Sequence, residues 1–216
     1  QPTFLHNVRT EQTLYRPGET IRCLARVSNH AAQARAGEVL FSLHGSAAAP
    51  PVCCRVPVQV EADATQSVTA ELSPPALPDT VGRVTAELYL EQRLVDRLEA
   101  GFVWERPDVM ASGPELRMSD NYLTLAGRPL FLFGSDTYAR TYQSAAENPL
   151  TWCRELSAAR DIGVRLYENL QYTPRDYRFE EDDWRKFLAM AQLTQQHQLV
   201  FMPGMLIGHN TAVPSE

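Results

Sequence analysis

The periodicity of apolar residues changes partway along the chain, and this change constrains the fold more than any other feature. Through positions 1–104 apolar and polar residues alternate, with Pro, Gly, Asn and Ser at the interruptions. Beyond position 119 short continuous apolar runs are separated by stretches with helical spacing. A period of two suits strands buried on one face, whereas continuous runs between helices suit a parallel sheet covered by them. One chain therefore carries two kinds of architecture. Its 216 residues are enough for one or two domains, at roughly 100–200 residues each.

In the first half Thr20–Val27, Glu38–Leu43, Val52–Val60, Gln66–Leu72, Gly82–Leu90 and Leu94–Trp104 read as half-buried strands. Pro17-Gly18 is a turn signal, and Glu91-Gln92 marks a hairpin between Leu90 and Leu94. Irregular connections are expected at Ala47–Pro51 and Ser73–Asp79. Six or seven short strands with no helical stretch predict a two-sheet, immunoglobulin-like sandwich over residues 1–104. Residues 105–119, opening with E-R-P-D-V-M-A-S-G-P, read as a linker.

In the second half Tyr122–Leu125 and Pro129–Phe133 flank Ala126-Gly127-Arg128, a hairpin leading into a strand that ends near Gly134. Asn148-Pro149 opens a helix, the Asn as cap and the Pro in the first turn, and Gly163 closes it. Leu150, Cys153, Leu156 and Ala159 or Arg160 recur at helical spacing within it. Val164–Tyr167 is a short buried strand. Phe179–Gln198 is a second helix with Glu180–Asp183 in its first turn, where the helix dipole favours acids. Trp184, Phe187, Leu188 and Ala191 form its expected apolar face. Leu199–Pro203 is a third apolar strand. The order is β-α-β-α-β, a parallel sheet with crossover helices.

Composition excludes several classes of function. Twenty basic against 26 acidic residues leave a net charge of −6, and no basic run suits a phosphate backbone, so no nucleic-acid partner is expected. No apolar run approaches the ~18 residues of a membrane span. Position 1 is Gln, with no Met and no basic or apolar leader after it. That fits a signal-cleaved protein or a trimmed piece of a longer one, and it favours a secreted or periplasmic location over a cytoplasmic one. The four cysteines, Cys23, Cys53, Cys54 and Cys153, read as small buried residues, with a bridge from Cys23 to Cys53 or Cys54 open if two strands meet. No spacing suggests a metal site, and no nucleotide-loop, serine-hydrolase or zincin motif occurs, so neither metal nor cofactor is expected.

The run Leu123-Thr124-Leu125-Ala126-Gly127-Arg128-Pro129-Leu130-Phe131-Leu132-Phe133-Gly134 resembles the lead-in hairpin and first barrel strand of clan A glycoside hydrolases. These are (β/α)8-barrel enzymes such as β-galactosidases, β-mannanases and cellulases. Ile162-Gly163-Val164-Arg165-Leu166-Tyr167 resembles their second strand. Pro203-Gly204-Met205-Leu206-Ile207-Gly208-His209 resembles the end of strand three in cellulase-like members. Their loop often reads Gly-His-Met-Ser-Gly; here it is Gly208-His209-Asn210-Thr211-Ala212, which departs after the His. The resemblance implies that residues 120–216 begin a TIM barrel left incomplete in this chain. A full barrel has eight strands in about 250 residues. In the family the acid/base glutamate follows strand four and the nucleophile glutamate follows strand seven, and neither position exists here. The implied parent reaction is hydrolysis of a β-glycosidic bond in an oligo- or polysaccharide, with retention. The 216 residues alone are expected to be inactive, and the open sheet edges to be covered by the rest of the barrel or a second chain.

Glycoside hydrolysis needs two carboxyl groups, about 5–5.5 Å apart for retention and roughly 6.5–9.5 Å for inversion. In a barrel, reactive groups sit past the carboxyl ends of the strands. Asp136 and Glu168 are the only carboxylates on neighbouring strand ends, so they are the one catalytic pair this chain could offer. Asp136 is otherwise a ligand for sugar hydroxyls or a barrel arginine, or a turn cap. Arg165 lies between Val164 and Leu166 on an expected buried strand, where an unpaired charge is costly. The resemblance makes it a support for the nucleophile carboxylate; a salt bridge to Asp136 or Glu168 is the structural alternative. His209 and Asn210 follow strand three, as sugar contacts by the same resemblance or as exposed loop residues. Tyr138 and Tyr167, with Tyr142 and Tyr172, are candidates to stack on sugar rings, against ordinary packing.

Two rival functions remain. One is a non-catalytic carbohydrate-binding protein. The other is a structural or adhesion sandwich, which an exposed apolar patch on the first domain would favour.

Overall fold

The computed structural model describes residues 2–45, 50–73, 79–137, 148–169 and 180–203, with the backbone alone at 135–137 and 169. The loops expected at Ala47–Pro51 and Ser73–Asp79 lie largely outside them. The chain divides into two compact units, Gln1–Glu105 with Asn148–Leu150 and Arg106–Glu147 with Thr151–Glu216.

The first unit is a sandwich of two sheets. Strands β1 (Thr3–Thr10), β3 (Ile21–Asn29) and β6 (Ala64–Leu72) form one sheet in the order β1-β3-β6. The other runs β2-β8-β7-β4-β5, from β2 (Leu14–Tyr15), β4 (Arg35–His44), β5 (Val52–Val60), β7 (Val81–Leu90) and β8 (Arg93–Trp104). All pairings are antiparallel except β2 with β8. The alternation seen in the sequence is the cause of this layering. Cys23, Ala25 and Val27 from one sheet and Val39, Phe41, Val84, Ala86, Leu88 and Phe102 from the other share one buried apolar core. Tyr15 meets Phe102 edge-on at 5.6 Å. Among the described residues of this unit, Leu94 is the one large apolar side chain that is strongly exposed. The apolar patch that an adhesion module would need is absent from them.

Strand β1 was not expected. A bulge between Leu5 and Asn7 switches its buried phase from odd to even positions, so no single period of two runs through it. The bulged edge is tied across the sandwich by the Leu5 N–H, which donates to Asp96 Oδ2 at 2.8 Å. The hairpin at Glu91-Gln92 forms as expected, a two-residue connection with Leu90 opposite Arg93. The four cysteines are free thiols: Cys23 is buried in the core, Cys54 and Cys153 are half-buried, and Cys53 is exposed, against the expectation of burial. Cys53 faces outward because β5 is an edge strand whose even positions supply the core.

In the second unit, residues 105–119 are not a bare linker. They include helix α1 (Pro107–Ala111) and strand β9 (Leu116–Met118), which pairs with β10 (Leu123–Leu125). Strand β11 (Arg128–Pro129) completes that small sheet through a turn at Ala126 (φ +51°) and Gly127 (φ +75°). The Leu130 N–H still belongs to this hairpin, donating to Leu123 O at 2.8 Å. The parallel ladder therefore starts later than the apolar run suggested. Its first strand is β12 (Gly134–Thr137) rather than 129–133, and Phe131 is exposed.

Helix α2 (Pro149–Asp161), strand β13 (Leu166–Asn169), helix α3 (Glu181–Gln196) and strand β14 (Val200–Pro203) follow. Sheet order is β12-β13-β14, parallel throughout. Asn148 caps α2 by accepting the Leu150 N–H at 3.1 Å, and Gly163 ends it in the left-handed region at φ +92°. Helix α3 starts with a capping box in which Glu180 and Asp183 satisfy each other's backbone amides. Its buried face is Arg185, Ala189, Met190, Gln192, Leu193 and Thr194, rotated from the expected one. Trp184 is 44% exposed and meets the Phe187 ring edge-on at 6.2 Å. The rotation follows from polar side chains with partners. Gln192 Oε1 accepts the Arg106 N–H at 2.7 Å, and Thr194 Oγ1 donates to Met190 O at 2.9 Å, so both can be buried.

Candidate functional site at the carboxyl ends of three parallel strands

Parallel pairing aligns residues of the second unit in four rows across the sheet. They are Gly134–Leu166–Val200, Ser135–Tyr167–Phe201, Asp136–Glu168–Met202 and Thr137–Asn169–Pro203. The second row is set by aromatic packing. Tyr167 stacks with Phe201 at 6.5 Å and 25°, and Phe201 meets Phe187 of α3 at 5.9 Å. That face of the sheet is the one α3 covers. Successive strand residues alternate between faces, so the row of Asp136, Glu168 and Met202 belongs to the opposite face. Neighbouring strands lie about 4.8 Å apart, which sets two carboxyl-bearing residues side by side one step before the carboxyl ends. Glu168 is half-buried and Met202 is 43% exposed.

Register thus brings Asp136 and Glu168 together. Met202 completes their row and was missed, although the apolar run L-V-F-M-P with β13's register would have reached it. Asn169, Thr137 and Pro203 end the strands in the next row. The backbone register puts two acidic positions, 136 and 168, on neighbouring strands; carboxylates as a class can accept hydrogen bonds from sugar hydroxyls or pair with a guanidinium.

Two expectations are corrected. Arg165 is exposed, not buried. It precedes β13, its N–H donating to Phe133 O at 2.8 Å and its carbonyl accepting the Val200 N–H at 2.8 Å. It stands at the amino end of the sheet, about 10 Å along the strand from Glu168 at ~3.3 Å per residue. Among the described residues no ion pair forms on its guanidinium. Tyr167 is 5% exposed and its ring is packed on Phe201, so it is a core residue rather than a stacking platform for a sugar. The other proposed contacts, Tyr138, His209 and Asn210, lie outside the described residues, as do Tyr142 and Tyr172.

Among the described residues no group of three or more His, Cys, Asp or Glu is arranged to hold a metal ion, and no helix is long and apolar enough to cross a membrane.

No protein-family model and no curated protein matches the chain by sequence. Solved structures do match it by shape, glycoside hydrolases among them. A Bacteroides uniformis β-glucuronidase is 14% identical with a TM-score of 0.46, over 94% of this chain and 24% of its own. A family 2 β-galacturonidase from Eisenbergiella tayi is 15% identical with a TM-score of 0.46, over 94% and 32%. A glycosyl hydrolase family 2 member from Bacteroides cellulosilyticus is 11% identical with a TM-score of 0.44, over 94% and 27%. The chain thus spans between about a quarter and a third of the structures it matches.

Proposed function

We propose that the chain is the N-terminal part of a glycoside hydrolase that cleaves β-glycosidic bonds with retention. On this reading an immunoglobulin-like sandwich precedes the first three strands of a (β/α)8 barrel, and the catalytic glutamates lie beyond the 216 residues. The observation that carries it is the run of three consecutive parallel strands, β12-β13-β14, joined by helical crossovers, with Asp136 and Glu168 in register near their carboxyl ends. That arrangement is what the resemblance of residues 123–134 and 162–167 to clan A enzymes implies. The sandwich order, β1-β3-β6 against β2-β8-β7-β4-β5, supports the immunoglobulin-like reading of the first unit. Asp136 and Glu168 then contribute one wall of the substrate cleft, binding sugar hydroxyls, and the rest of the barrel pairs with the outer edges of β12 and β14.

The test is release of nitrophenol from a panel of aryl β-glycosides. Residues 1–216 alone hydrolyse none, and the polypeptide that carries them with a completed barrel hydrolyses at least one. Turnover by residues 1–216 alone that is abolished by Asp136→Asn or Glu168→Gln would overturn the reading and make those two carboxyls the catalytic pair.

A further inference from the structure

The outer face of the five-stranded sheet carries a second set of polar and aromatic groups, remote in sequence from the strand ends described above. Register places Pro57, Glu38 and Tyr89 in one cross-strand row and Arg55, Leu40 and Glu87 in the next. Arg55 pairs with Glu38, and its guanidinium also lies over the Tyr89 ring, 5.4 Å from the centroid. The Tyr89 hydroxyl donates to Glu87 Oε2 at 2.9 Å. Glu38, Arg55, Pro57 and Tyr89, with Gly37, Glu91 and Gln92, line an open depression of about 600 Å³. That volume is in the range of small-molecule sites, about 300–1,000 Å³.

Two backbone features suit a site rather than a plain solvated surface. Glu91 and Gln92 form the β7–β8 turn at φ +50° and +63°, a conformation that favours Asn-Gly. The turn keeps two long polar side chains at strained positions, and both line the depression. Gly37 also lines it, and a Cβ there would stand 2.2 Å from the Tyr89 carbonyl oxygen, so only glycine lets the strands approach this closely.

We propose that this depression binds a neutral oligosaccharide. A guanidinium–carboxylate pair presents planar donors and acceptors to vicinal hydroxyls, the Tyr89 ring supports the guanidinium that lies over it, and Pro57 offers apolar surface to the C–H face of a sugar. Glu38 and Glu91 outnumber Arg55 in the lining, which disfavours a uronic acid. The inference stands apart from the glycosidase reading, since no residue of β12–β14 takes part.

Calorimetric titration of the chain with cellopentaose, β-1,4-galactopentaose and trigalacturonate tests it. Saturable binding of at least one neutral sugar is expected, and none of trigalacturonate. Tyr89→Ala weakens it about tenfold. The double change Glu91→Asn with Gln92→Gly weakens it about threefold and leaves Tm equal or higher, which separates lost contacts from lost fold. Absence of neutral-sugar binding, tighter binding of trigalacturonate, or affinity that follows Asp136 and Glu168 instead of Tyr89 would overturn the proposal. The last outcome would still leave the glycosidase reading standing.

Discussion

The Asn148 side-chain oxygen accepts the Gly101 amide at 2.7 Å while also accepting the Leu150 amide at 3.1 Å. One carboxamide therefore caps a helix and satisfies a strand 47 residues away in sequence. Asn148→Ala removes the one oxygen that accepts both bonds and is expected to cost about 1–2 kcal/mol in urea denaturation. Gly101→Ala is expected to cost more than a surface glycine change, because its Cβ would meet Leu150 Cγ at 2.8 Å and Leu150 N at 2.9 Å. Equal stability of either variant with the parent chain would contradict the contact.

Asn29 is fully buried and uses both ends of its side chain. Oδ1 accepts from Thr3 Oγ1 at 2.8 Å and the Ala31 N–H at 3.1 Å; Nδ2 faces the carbonyls of Gln33, Val60 and Glu61 at 2.9, 3.2 and 3.1 Å. Asn29→Asp replaces the donor with an acceptor aimed at those carbonyls. It should destabilise more than Asn29→Ala, by about 3 kcal/mol or more, with the deficit shrinking as pH falls and the carboxyl protonates. Thermal melts of both variants at pH 7 and pH 4 read the difference.

Burial raises the Cys23 thiol to about 12 and the Tyr15 phenol to about 12. Both groups hold their protons more tightly folded than unfolded. Their stabilising contribution is complete below the unfolded values and is lost as pH rises through them toward 12. Stability should fall above pH 9, by about 1.4 kcal/mol per pH unit for each group that ionises only on unfolding. Cys23→Ala should make the decline shallower, as measured by denaturation between pH 8 and pH 11. A thiol reagent at pH 8 should modify exposed Cys53 first and Cys23 only on unfolding.

Much of this architecture is legible in the residues, and the misreadings have physical causes. The hairpin at Glu91-Gln92 and the caps Asn148 and Gly163 act over a few residues, so local chemistry determines them. Strand β1 was hidden by a bulge at Leu5–Asn7, which inverts the alternation midway. The strand at Leu116–Met118 has three exposed residues, so it carries no burial pattern and resembled a linker. Helix α3 was turned the wrong way because Gln192 and Thr194 are buried with satisfied hydrogen bonds, which hydrophobicity alone cannot anticipate. At the candidate site, the pairing of positions 136 and 168 followed from strand order. Arg165 is misplaced because β13 starts two residues later than its apolar run, which leaves Arg165 before the strand; Tyr167 falls on the face shared with Phe201 and α3, which the apolar run does not distinguish from the other.

The rotated face of α3 has its own test. Leu193→Ala empties a fully buried position and is expected to cost about 2–5 kcal/mol, whereas Trp184→Ala, at a half-exposed one, is expected to cost less. The reverse order in chemical denaturation would restore the face centred on Trp184.

The proposed glycosidase reading is tested most directly by trapping a covalent intermediate. A 2-deoxy-2-fluoro β-glycoside of whichever sugar the completed polypeptide hydrolyses should add one glycosyl unit to its intact mass. Peptide mapping should locate that unit on a glutamate beyond residue 216, with Asp136 and Glu168 unmodified. A glycosyl unit on either of those two residues, or hydrolysis of the parent sugar with no adduct formed, would contradict the proposal.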